Sequence, residues 1–440
     1  MMAETGELVP SVVLVVDPLS IGACLSKVAA ARGFLVIALW SKEGTASTRK
    51  LSSCADHSKE KVYWATMEEE VSIEETVKAI QQSIESIHPG AHIRGCVPGS
   101  EAGVNLAELV SEHLGLQCNG LFPGGDRRNK HVQRNALLVA GCRAVQEVCG
   151  CAWEDVKENL KHLGLPIVVK PVQSSGTDGV QLCRSMGEVE EHFRHLRCTK
   201  RRLTSSDTAV LCQEFLSGQE YVVDHVSRNG VHKTVMVWVY EKQPANGCDF
   251  VYFAMRPVEV EDCPAGLIEY TRAALDALKF CHGATHAEVI MTKDGPCLVE
   301  MNVRMMGALG CYVNLARLLT GTSHPEATVD CLDGERFDAL PDVPRAFEAS
   351  GRVIFLVSYF SGIVTGMPGY AQMHKLSSFM ELHTSLSIGS KVELTVDAFT
   401  FAGILVLAGH KEQIEADVEE VRQMEKEGLF CFEPPSFGGA

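Results

Sequence analysis

The feature that most constrains the fold is a pair of strand-like segments joined by a short turn, between residues 285 and 304. Both segments are rich in Val, Ile, Leu and Thr, and the Asp-Gly step between them is a signal for a β-hairpin. A turn centred on Asp294 would set the register of the two strands. The predicted pairs are Thr292 with Pro296, Ile290 with Leu298, and Glu288 with Glu300.

Two acidic side chains therefore face each other across this hairpin. Strand side chains alternate in direction, so a set of polar residues falls on one face, namely Glu288, Glu300, Asn302 and Arg304. Opposed carboxylates ~5 Å apart repel by roughly 3 kcal/mol at an effective dielectric of ~20, which predicts a cation between them. Oxygen ligands of this kind suit Mg²⁺, and Arg304 offers a fork of donors to an anion beside it. The alternative is a solvent-facing hairpin with two exposed glutamates.

Composition describes a globular protein and excludes several partners. The 440 residues allow two to four structural units, and 46% of them are hydrophobic. The net charge of −16 argues against nucleic acid and anionic membranes as partners. The sequence contains no apolar run of 18 residues and its start is acidic, so neither a membrane span nor a signal peptide is expected. Without such a signal, the 17 cysteines are interpreted as reduced thiols of a cytoplasmic protein.

Residues 12–125 alternate between strand and helix patterns, which predicts a parallel α/β sheet. The expected strands are 12–16, 34–39 and 93–97, with helices at 21–32 and 73–87. Glu101 follows the third strand, at the edge of the sheet where ligands of open α/β sheets bind. It is a candidate for holding a substrate amine, and helix capping is the alternative.

Between residues 130 and 216 the pattern changes. A polar helix begins near Asn129, and a strand at 166–170 ends in Lys170, followed by the small polar loop 173–180. Backbone amides of such a loop can surround phosphates, and Lys170 adds a point charge, although the loop lacks the Walker spacing. An ordinary surface loop is the alternative.

The remaining sequence predicts further strands and a final helix. Residues 210–216 are expected to form a strand, residues 244–247 a hairpin or a mobile loop, and residues 341–344 a boundary. Beyond the boundary the predicted strands are 352–359, 392–396 and 402–407, and a helix presents Ile414, Val418, Val421 and Met424 on one face before Gly428.

The order of these segments resembles the ATP-grasp superfamily of carboxylate–amine ligases over nearly the whole chain. The residues that carry the resemblance are Lys170 with the Ser/Gly loop, the run from Gln213 to Glu220, and the Glu288…Glu300-x-Asn302-x-Arg304 pattern. His286-Ala287-Glu288 and the C-terminal segment are similar to the L-amino acid ligase branch, which makes dipeptides. The resemblance implies an α/β and α+β fold in four units: an N-terminal α/β domain (1–125), a linker helix and lid (126–216), an ATP-grasp core (217–343) and a strand-rich subdomain (344–440).

The resemblance also implies roles for individual residues. Lys130 and Lys170 contact ATP phosphates, Lys170 and Arg304 being catalytic, and Arg304 steadies the γ-phosphate and the acyl intermediate. Glu288, Glu300 and Asn302 bind Mg²⁺, expected as two ions with Mn²⁺ as an alternative. The other implied ATP-binding residues are Ser174, Ser175, Gly176 and Thr177 over the phosphates, Glu214, Phe215 and Leu216 at the adenine, and Glu220 at the ribose.

The substrate site departs from the family pattern. Many relatives have a glycine pair soon after the arginine, whereas this chain has Met305-Met306-Gly307. Gly307 is a candidate for substrate contact, and core packing is the alternative interpretation of the methionines. Arg256 is a candidate for a substrate carboxylate, with a surface salt bridge as its alternative.

The predicted function is ATP-dependent ligation, in which an amino acid carboxylate becomes an acyl phosphate and couples to an amine. One alternative is a biotin-dependent or purine-pathway carboxylase of the same superfamily, although the chain has no Met-Lys-Met biotin site. Another is a nucleotide-binding regulatory protein without turnover. The expected partners are small molecules, and the resemblance also admits a homodimer.

Overall fold

A four-stranded parallel sheet forms the N-terminal part of the computed structural model, which describes residues 10–44, 62–123, 125–173, 176–198 and 209–433. The strand order is β3-β2-β1-β4, and β1 is buried almost throughout. The predicted alternation is confirmed, but β3 was not predicted because this half-exposed edge strand lacks an apolar run. The elements are β1 Ser11–Val16, α1 Ile21–Ala31, β2 Leu35–Trp40, β3 Tyr63–Glu68, α2 Ile73–Ile87, β4 His92–Pro98 and α3 Val104–His113.

A second, antiparallel sheet with the order β5-β8-β6-β7 follows. Its own small core contains the buried Ile167, Phe193 and Cys212. The helix predicted near Asn129 is present, and the Asn129 side chain caps it by accepting hydrogen bonds from two backbone amides. The elements are α4 Lys130–Val139, β5 Glu147–Gly150, α5 Trp153–Val156, a 3-10 helix Asn159–His162, β6 Ile167–Pro171, β7 Gln181–Cys183, α6 Met186–Cys198 and β8 Val210–Glu214.

The largest sheet of the described chain has eight strands in the order β13-β12-β9-β10-β11-β14-β18-β16, and a small sheet has the order β17-β15-β19. The strands of these two sheets are β9 Gly218–Arg228, β10 Val231–Ala245, β11 Cys248–Pro257, β12 Gly283–Thr292, β13 Gly295–Asn302, β14 Ser350–Leu356, β15 Gly362–Gly366, β16 Phe379–His383, β17 Lys391–Val392, β18 Gly403–Gly409 and β19 Cys431–Phe432. The helices are α7 Leu267–Ala277, α8 Val313–Thr320, α9 His324–Asp330, α10 Gly334–Ala339, α11 Pro368–Met373 and α12 Lys411–Glu427, with 3-10 turns at Val260–Asp262 and Ala308–Gly310.

The two faces of this eight-stranded sheet differ in chemistry. On one face, Val223, Val239 and Val289 belong to an apolar core that continues into α4 and α7. The residues next to them in sequence point the other way, so the register places Glu288, Val222 and Trp238 together on the opposite face. We call this second face the acidic face, because Glu288 and Glu300 lie on it.

The register of the β12–β13 hairpin confirms the predicted pairing of Glu288 with Glu300, but the other two predicted pairs are wrong. Thr292 pairs with Gly295, so the turn has two residues rather than three, and Ile290 pairs with Cys297. A β-bulge at Val299 then restores the alignment before the acids are reached.

In the C-terminal part, the strands expected at 352–359 and 402–407 are present as β14 and β18, whereas β15, β16 and β19 were not predicted. The strand expected at 392–396 covers only Lys391–Val392. Pairing ends there because Thr395 forms a hydrogen bond with Ser358 instead, and the Asp397 side chain accepts a hydrogen bond from the backbone amide of Phe399 to form a turn.

The division into four units stays a prediction. Strands from both sides of residue 343 share one sheet, in which Ala254 lies opposite Ile354.

Two further expectations concern membrane-spanning helices and the state of the cysteines. None of the described helices is long and apolar enough to cross a membrane. The cysteines within the described ranges, sixteen in all, are free thiols.

Candidate active site

The two opposed acids are each next to a basic side chain. Lys130 Nζ donates a 2.7 Å hydrogen bond to Glu300 Oε1, and His286 Nε2 lies 3.5 Å from Glu288 Oε1. The carboxylates are largely buried, with 16% of the Glu288 side chain and 12% of the Glu300 side chain exposed. The low exposure of both acids excludes the alternative of a solvent-facing hairpin. The two basic side chains offset part of the repulsion between the carboxylates.

The pKa values of these two acids move in opposite directions. Burial opposes ionisation of Glu288, but the hydrogen bond from His286 and the charge of Lys242 outweigh it and lower the pKa of Glu288 to about 2. Burial raises the pKa of Glu300, Lys130 opposes that rise, and the charge of Glu288 adds to it. Such divergence is expected for neighbouring carboxylates that compete for charge.

Beneath Glu288 lies a buried acid–histidine pair that sequence reasoning did not identify. His286 Nδ1 donates a 2.9 Å hydrogen bond to Asp224 Oδ1, and Trp238 Nε1 lies 3.1 Å from the other oxygen of that carboxylate. Asp224 is fully buried. Burial lowers the pKa of His286, but its bonds to Asp224 and Glu288 prevail and raise it to about 9. His286 is therefore a cation at neutral pH and fixes one side of Glu288.

The two predicted phosphate lysines come from different elements and converge on the acids. Lys130 is the first residue of α4, and Lys170 lies in β6. Both side chains are buried. Lys170 has no hydrogen-bond or ion-pair partner within the described ranges. Burial, together with the nearby charge of Lys130, lowers the pKa of Lys170 to about 8. A desolvated lysine without a counter-ion is suited to an anionic ligand.

The predicted phosphate loop is described only in part, since Ser174 and Ser175 lie outside the described residues. Gly176 and Thr177 both have left-handed backbones, with φ of 65° and 64°. The carbonyl of Gly176 accepts a 3.3 Å hydrogen bond from the backbone amide of Ala398 in the C-terminal part. The loop thus touches a segment more than 200 residues away in sequence.

The predicted adenine and ribose positions lie where β8 passes into β9. Glu214 and Gln146 are bonded to each other, through the Glu214 side chain at 2.8 Å and through their backbones at 3.0 Å. Phe215 is exposed and Leu216 is half-buried. Glu220 carries an ion pair of 2.7 Å with Lys242 Nζ from the neighbouring strand β10. Burial raises the pKa of Glu220, whereas Lys242 opposes that rise.

Arg304 connects the hairpin to the N-terminal sheet. Its Nε donates to Glu101 Oε2 at 2.7 Å, its Nη2 to Asn302 Oδ1 at 3.0 Å, and its Nη1 to the carbonyl of Met305 at 2.9 Å. Glu101 lies in the loop that follows β4. The structure therefore brings Glu101, Asn302 and Arg304 together at the end of the hairpin.

The other two substrate candidates differ from these. Arg256 pairs with Val239 and so points away from the acidic face. On the opposite face, 43% of the Arg256 side chain is exposed, and its Nε lies 3.7 Å from Glu241 Oε1. Gly307 follows Met305 and Met306, which are both buried in the main apolar core, as the packing interpretation expects. A Cβ atom added at Gly307 would meet no atom within 4 Å.

The donor set on the acidic face fits Mg²⁺. Glu288, Glu300 and Asn302 provide two carboxylates and an amide oxygen on one face, which are hard ligands of the type this ion prefers. The described residues contain no group of three or more His, Cys, Asp or Glu side chains able to hold a metal. A pair of carboxylates completed by nucleotide phosphates is nevertheless a common arrangement for Mg²⁺.

Sequence reasoning also missed Lys242, Tyr240 and Tyr252, which flank Glu220 on the acidic face. Lys242 Nζ lies 4.4 Å from the centre of the Tyr252 ring and 5.3 Å from that of Tyr240. Alternation of Trp238, Tyr240 and Lys242 along β10 was the available signal, since every second residue of a strand shares a face.

Comparison with known proteins agrees with this geometry. The model of the ATP-grasp domain family matches residues 163–312. Dapdiamide A synthase of Enterobacter agglomerans is 27% identical over 353 residues, which cover 76% of this chain and 79% of that protein. Alanine–anticapsin ligase of Bacillus subtilis (strain 168) is 22% identical over 262 residues, or 56% of this chain and 55% of that protein. The crystal structure of the L-amino acid ligase from Bacillus licheniformis has a TM-score of 0.74 at 16% identity, covering 97% of this chain and 99% of that one.

Residues 163–312 form an ATP-grasp domain, and the chain is similar to ATP-grasp carboxylate–amine ligases, a class of enzyme that uses ATP and Mg²⁺. Several solved structures of that fold also match over most of the chain, among them N5-carboxyaminoimidazole synthetase from Staphylococcus aureus at a TM-score of 0.63, with 13% identity, covering 96% of this chain and 100% of that one. Within the class, the chain is similar to amino acid ligases, as the relatives and the solved structure named above indicate.

Proposed function

We propose that this protein joins the carboxylate of one amino acid to the amine of a second substrate, with ATP converted to ADP and phosphate. The carboxylate oxygen attacks the γ-phosphorus of ATP, ADP leaves, and an acyl phosphate forms. The amine nitrogen then attacks the acyl carbon, phosphate leaves and the amine loses a proton. The first step replaces oxide, a poor leaving group on the acyl carbon, with phosphate, and the second step expels that phosphate as the amide forms.

In this proposal the acidic face carries the phosphoryl transfer. Glu288, Glu300 and Asn302 would hold two Mg²⁺ ions, which when bound neutralise the charge that develops on the phosphates. Lys130 would release Glu300 to the metal and turn to the phosphates, while Lys170, which has no partner within the described ranges, already faces the same acids. Phosphoryl transfer needs little covalent chemistry from the protein, so positioning and neutralisation supply most of the catalysis.

Arg304 has a second task in the proposal, because its guanidinium can move from Asn302 to the γ-phosphate and the acyl intermediate. Glu101 holds the opposite side of the guanidinium and lies near enough to meet a substrate amine. Acyl phosphates hydrolyse readily, so the segment 174–179 would act as a lid that excludes water during the reaction.

The observation that supports this function most directly is the Glu288–Glu300 pair with two buried lysines beside it. The test is a phosphate-release screen of purified enzyme with ATP and Mg²⁺, offering amino acids singly and in pairs. We expect release only with particular pairs, and no release from Glu300→Gln with the same pairs. Release that depends on bicarbonate rather than on amino acids would support a carboxylase instead, and tight ATP binding without release under any pair would support a regulatory protein.

Location and assembly are part of the proposal. We propose a cytoplasmic enzyme and a homodimer, which size-exclusion chromatography with light scattering can test directly. Nucleic acid and membranes are not expected as partners, because the net charge of the chain is −16.

A further inference from the structure

Lys242 lies on the acidic face, together with Trp238 and Tyr240 of the same strand. Trp238 in β10 pairs with Val222 in β9, which in turn pairs with Glu288 in β12, so these three side chains point the same way. Lys242 lies four residues after Trp238, and Glu220 lies two residues before Val222. Both therefore share the face of Glu288, at the end of the sheet nearer to the adenine positions.

Three side chains fix the ammonium group of Lys242. Its Nζ lies 2.7 Å from Glu220 Oε1, 4.4 Å from the centre of the Tyr252 ring and 5.3 Å from that of Tyr240. Aromatic faces attract cations at these separations, and they restrict the motion of a side chain that is otherwise flexible. Tyr252 pairs with Lys242 across β10 and β11, so the stacking follows from the register.

The Glu220–Lys242 pair is an unusual one because it is almost buried. Only 14% of the Glu220 side chain and 16% of the Lys242 side chain are exposed. A carboxylate in that position needs a cation to stay charged and a fixed geometry to accept hydrogen bonds, and removal of one partner leaves the other unpaired. Glu220 uses Oε1 for Lys242, and its other oxygen has no hydrogen-bond partner among the residues that the structure describes, so that oxygen is available to a ligand.

We propose that Lys242 is a positioning residue for nucleotide recognition, which holds the Glu220 carboxylate in the orientation that accepts hydrogen bonds from the ribose hydroxyls of ATP. The inference rests on the proposed function, because it takes Glu220 as the ribose residue. It assigns Lys242 a task separate from that of Lys130 and Lys170, which face the phosphates. Without Lys242, Glu220 would turn toward water or take up a proton, and the enzyme would lose its preference for a nucleotide with ribose hydroxyls.

The test compares the dissociation constants of ATP and 2′,3′-dideoxyATP with Mg²⁺ present, measured by calorimetry without amino acids. The dissociation constant of 2′,3′-dideoxyATP divided by that of ATP isolates the ribose hydroxyls, since the base and the phosphates are the same. We expect Lys242→Met and Glu220→Gln each to lower this ratio about tenfold by weakening ATP alone, as expected for hydrogen bonds to a charged group. Lys242→Arg should retain most of the ratio because it keeps the ion pair.

Lys233 supplies the matched control, because it is a lysine of the same strand that donates to the carbonyl of Asp338 at 3.1 Å and stacks on Phe337. Lys233→Met should leave the ratio unchanged even if it lowers the melting temperature. Should Lys242→Met not fold, Lys242→Gln takes its place, with folding checked by circular dichroism. Equal weakening of both nucleotides in the Lys242 variants would overturn the inference and reduce Lys242 to a packing residue.

The two possible failures are distinguishable. If Glu220→Gln leaves the ratio intact, the assignment of Glu220 to the ribose is wrong, and with it that part of the proposed function. If Glu220→Gln lowers the ratio but both Lys242→Met and Lys242→Gln do not, only the role of Lys242 is overturned. A double variant whose ratio equals that of either single variant would support action of Lys242 through Glu220.

Discussion

The carboxylate of Glu101 lies 2.7 Å from Nε of Arg304, which joins residues 203 positions apart in the chain. One end of this contact belongs to the loop after β4 in the N-terminal sheet, and the other follows the hairpin of the acidic face. Any movement of the N-terminal sheet would therefore be passed to the arginine that we propose at the γ-phosphate. The contact makes Glu101 a support for Arg304 whether or not it also binds a substrate amine.

We predict that Glu101→Ala lowers kcat about tenfold or more while the dissociation constant of ATP changes little. Its loss frees Arg304 to adopt other rotamers, which affects the transition state more than nucleotide binding. Glu101→Gln, which retains an oxygen acceptor, should lose less. A variant in which ATP binding weakens and kcat persists would contradict this role.

For Glu300→Gln we expect measurable binding of an ATP analogue but a loss of ADP release of about a thousandfold or more. The amide keeps the shape of the side chain and removes the charge that a metal requires, which affects electrostatic stabilisation of the transferring phosphoryl group. Calorimetry with a non-hydrolysable analogue and a coupled ADP assay measure the two effects. Full turnover in this variant would refute the metal assignment.

Lys170 leads to a prediction about pH. Its pKa is lowered to about 8, so the free enzyme loses this positive charge as the pH rises through that value. ATP affinity should therefore decline between about pH 8 and pH 9.5, and it should decline less over that range in Lys170→Arg, since the guanidinium remains charged. Dissociation constants measured across the range decide the matter, and a level profile in the natural enzyme would contradict the assignment.

Stability should also depend on pH through His286. Its folded pKa of about 9 lies above the ordinary value of 6.5, so its contribution is complete below pH 6.5 and is lost as the pH rises toward 9. The loss amounts to about 3 kcal/mol of unfolding free energy at most. Chemical denaturation at several pH values measures it. His286→Asn should remove the slope.

The control for this measurement is His324, whose Nδ1 lies 3.7 Å from the same Asp224 oxygen. Burial lowers the pKa of His324, so its contribution changes only below pH 6.5. His324→Asn should therefore leave the slope between pH 6.5 and 9 in place. A slope that survives in His286→Asn instead would show that another group carries it.

Gly176→Ala should weaken ATP binding about tenfold. An added Cβ would lie 3.0 Å from the Ala398 methyl group and 3.2 Å from the Phe399 ring, at a φ of +65° that an L-residue rarely adopts. Gly164→Ala is the control within the same small sheet domain, because its φ is +70° and no atom lies within 4 Å. It should cost about 1 kcal/mol of stability and leave ATP affinity unchanged.

Sequence reasoning predicted the centre of the site because its signals are local. Glu288, Glu300 and Asn302 lie within one hairpin, where side-chain alternation fixes their common face. The register nevertheless slipped by one at the turn, where Thr292 closes on Gly295, and the bulge at Val299 cancelled the error before the acids. A bulge leaves no clear mark in composition, so the pairing near the turn could not be read from residue types.

The residues that were missed come from distant strands. Asp224 meets His286 from 62 positions away, and Lys242 meets Glu220 from 22 positions away across β9 and β10. Such contacts depend on the order and register of three strands, which periodicity alone does not determine. Arg256 shows the converse, since its position between motifs suggested a site residue but the register turns it to the other face.

The eight-stranded sheet has a consequence for how this chain could be dissected. Strand β14, from the C-terminal side of residue 343, covers the outer edge of β11 through the pairing of Ala254 with Ile354. Cutting the chain at that residue would expose the unsatisfied amides and carbonyls of β11, and bare strand edges of this kind recruit other chains into aggregates. A shortened enzyme would therefore be expected to precipitate before its catalysis could be assayed, so the two segments are best expressed as one piece.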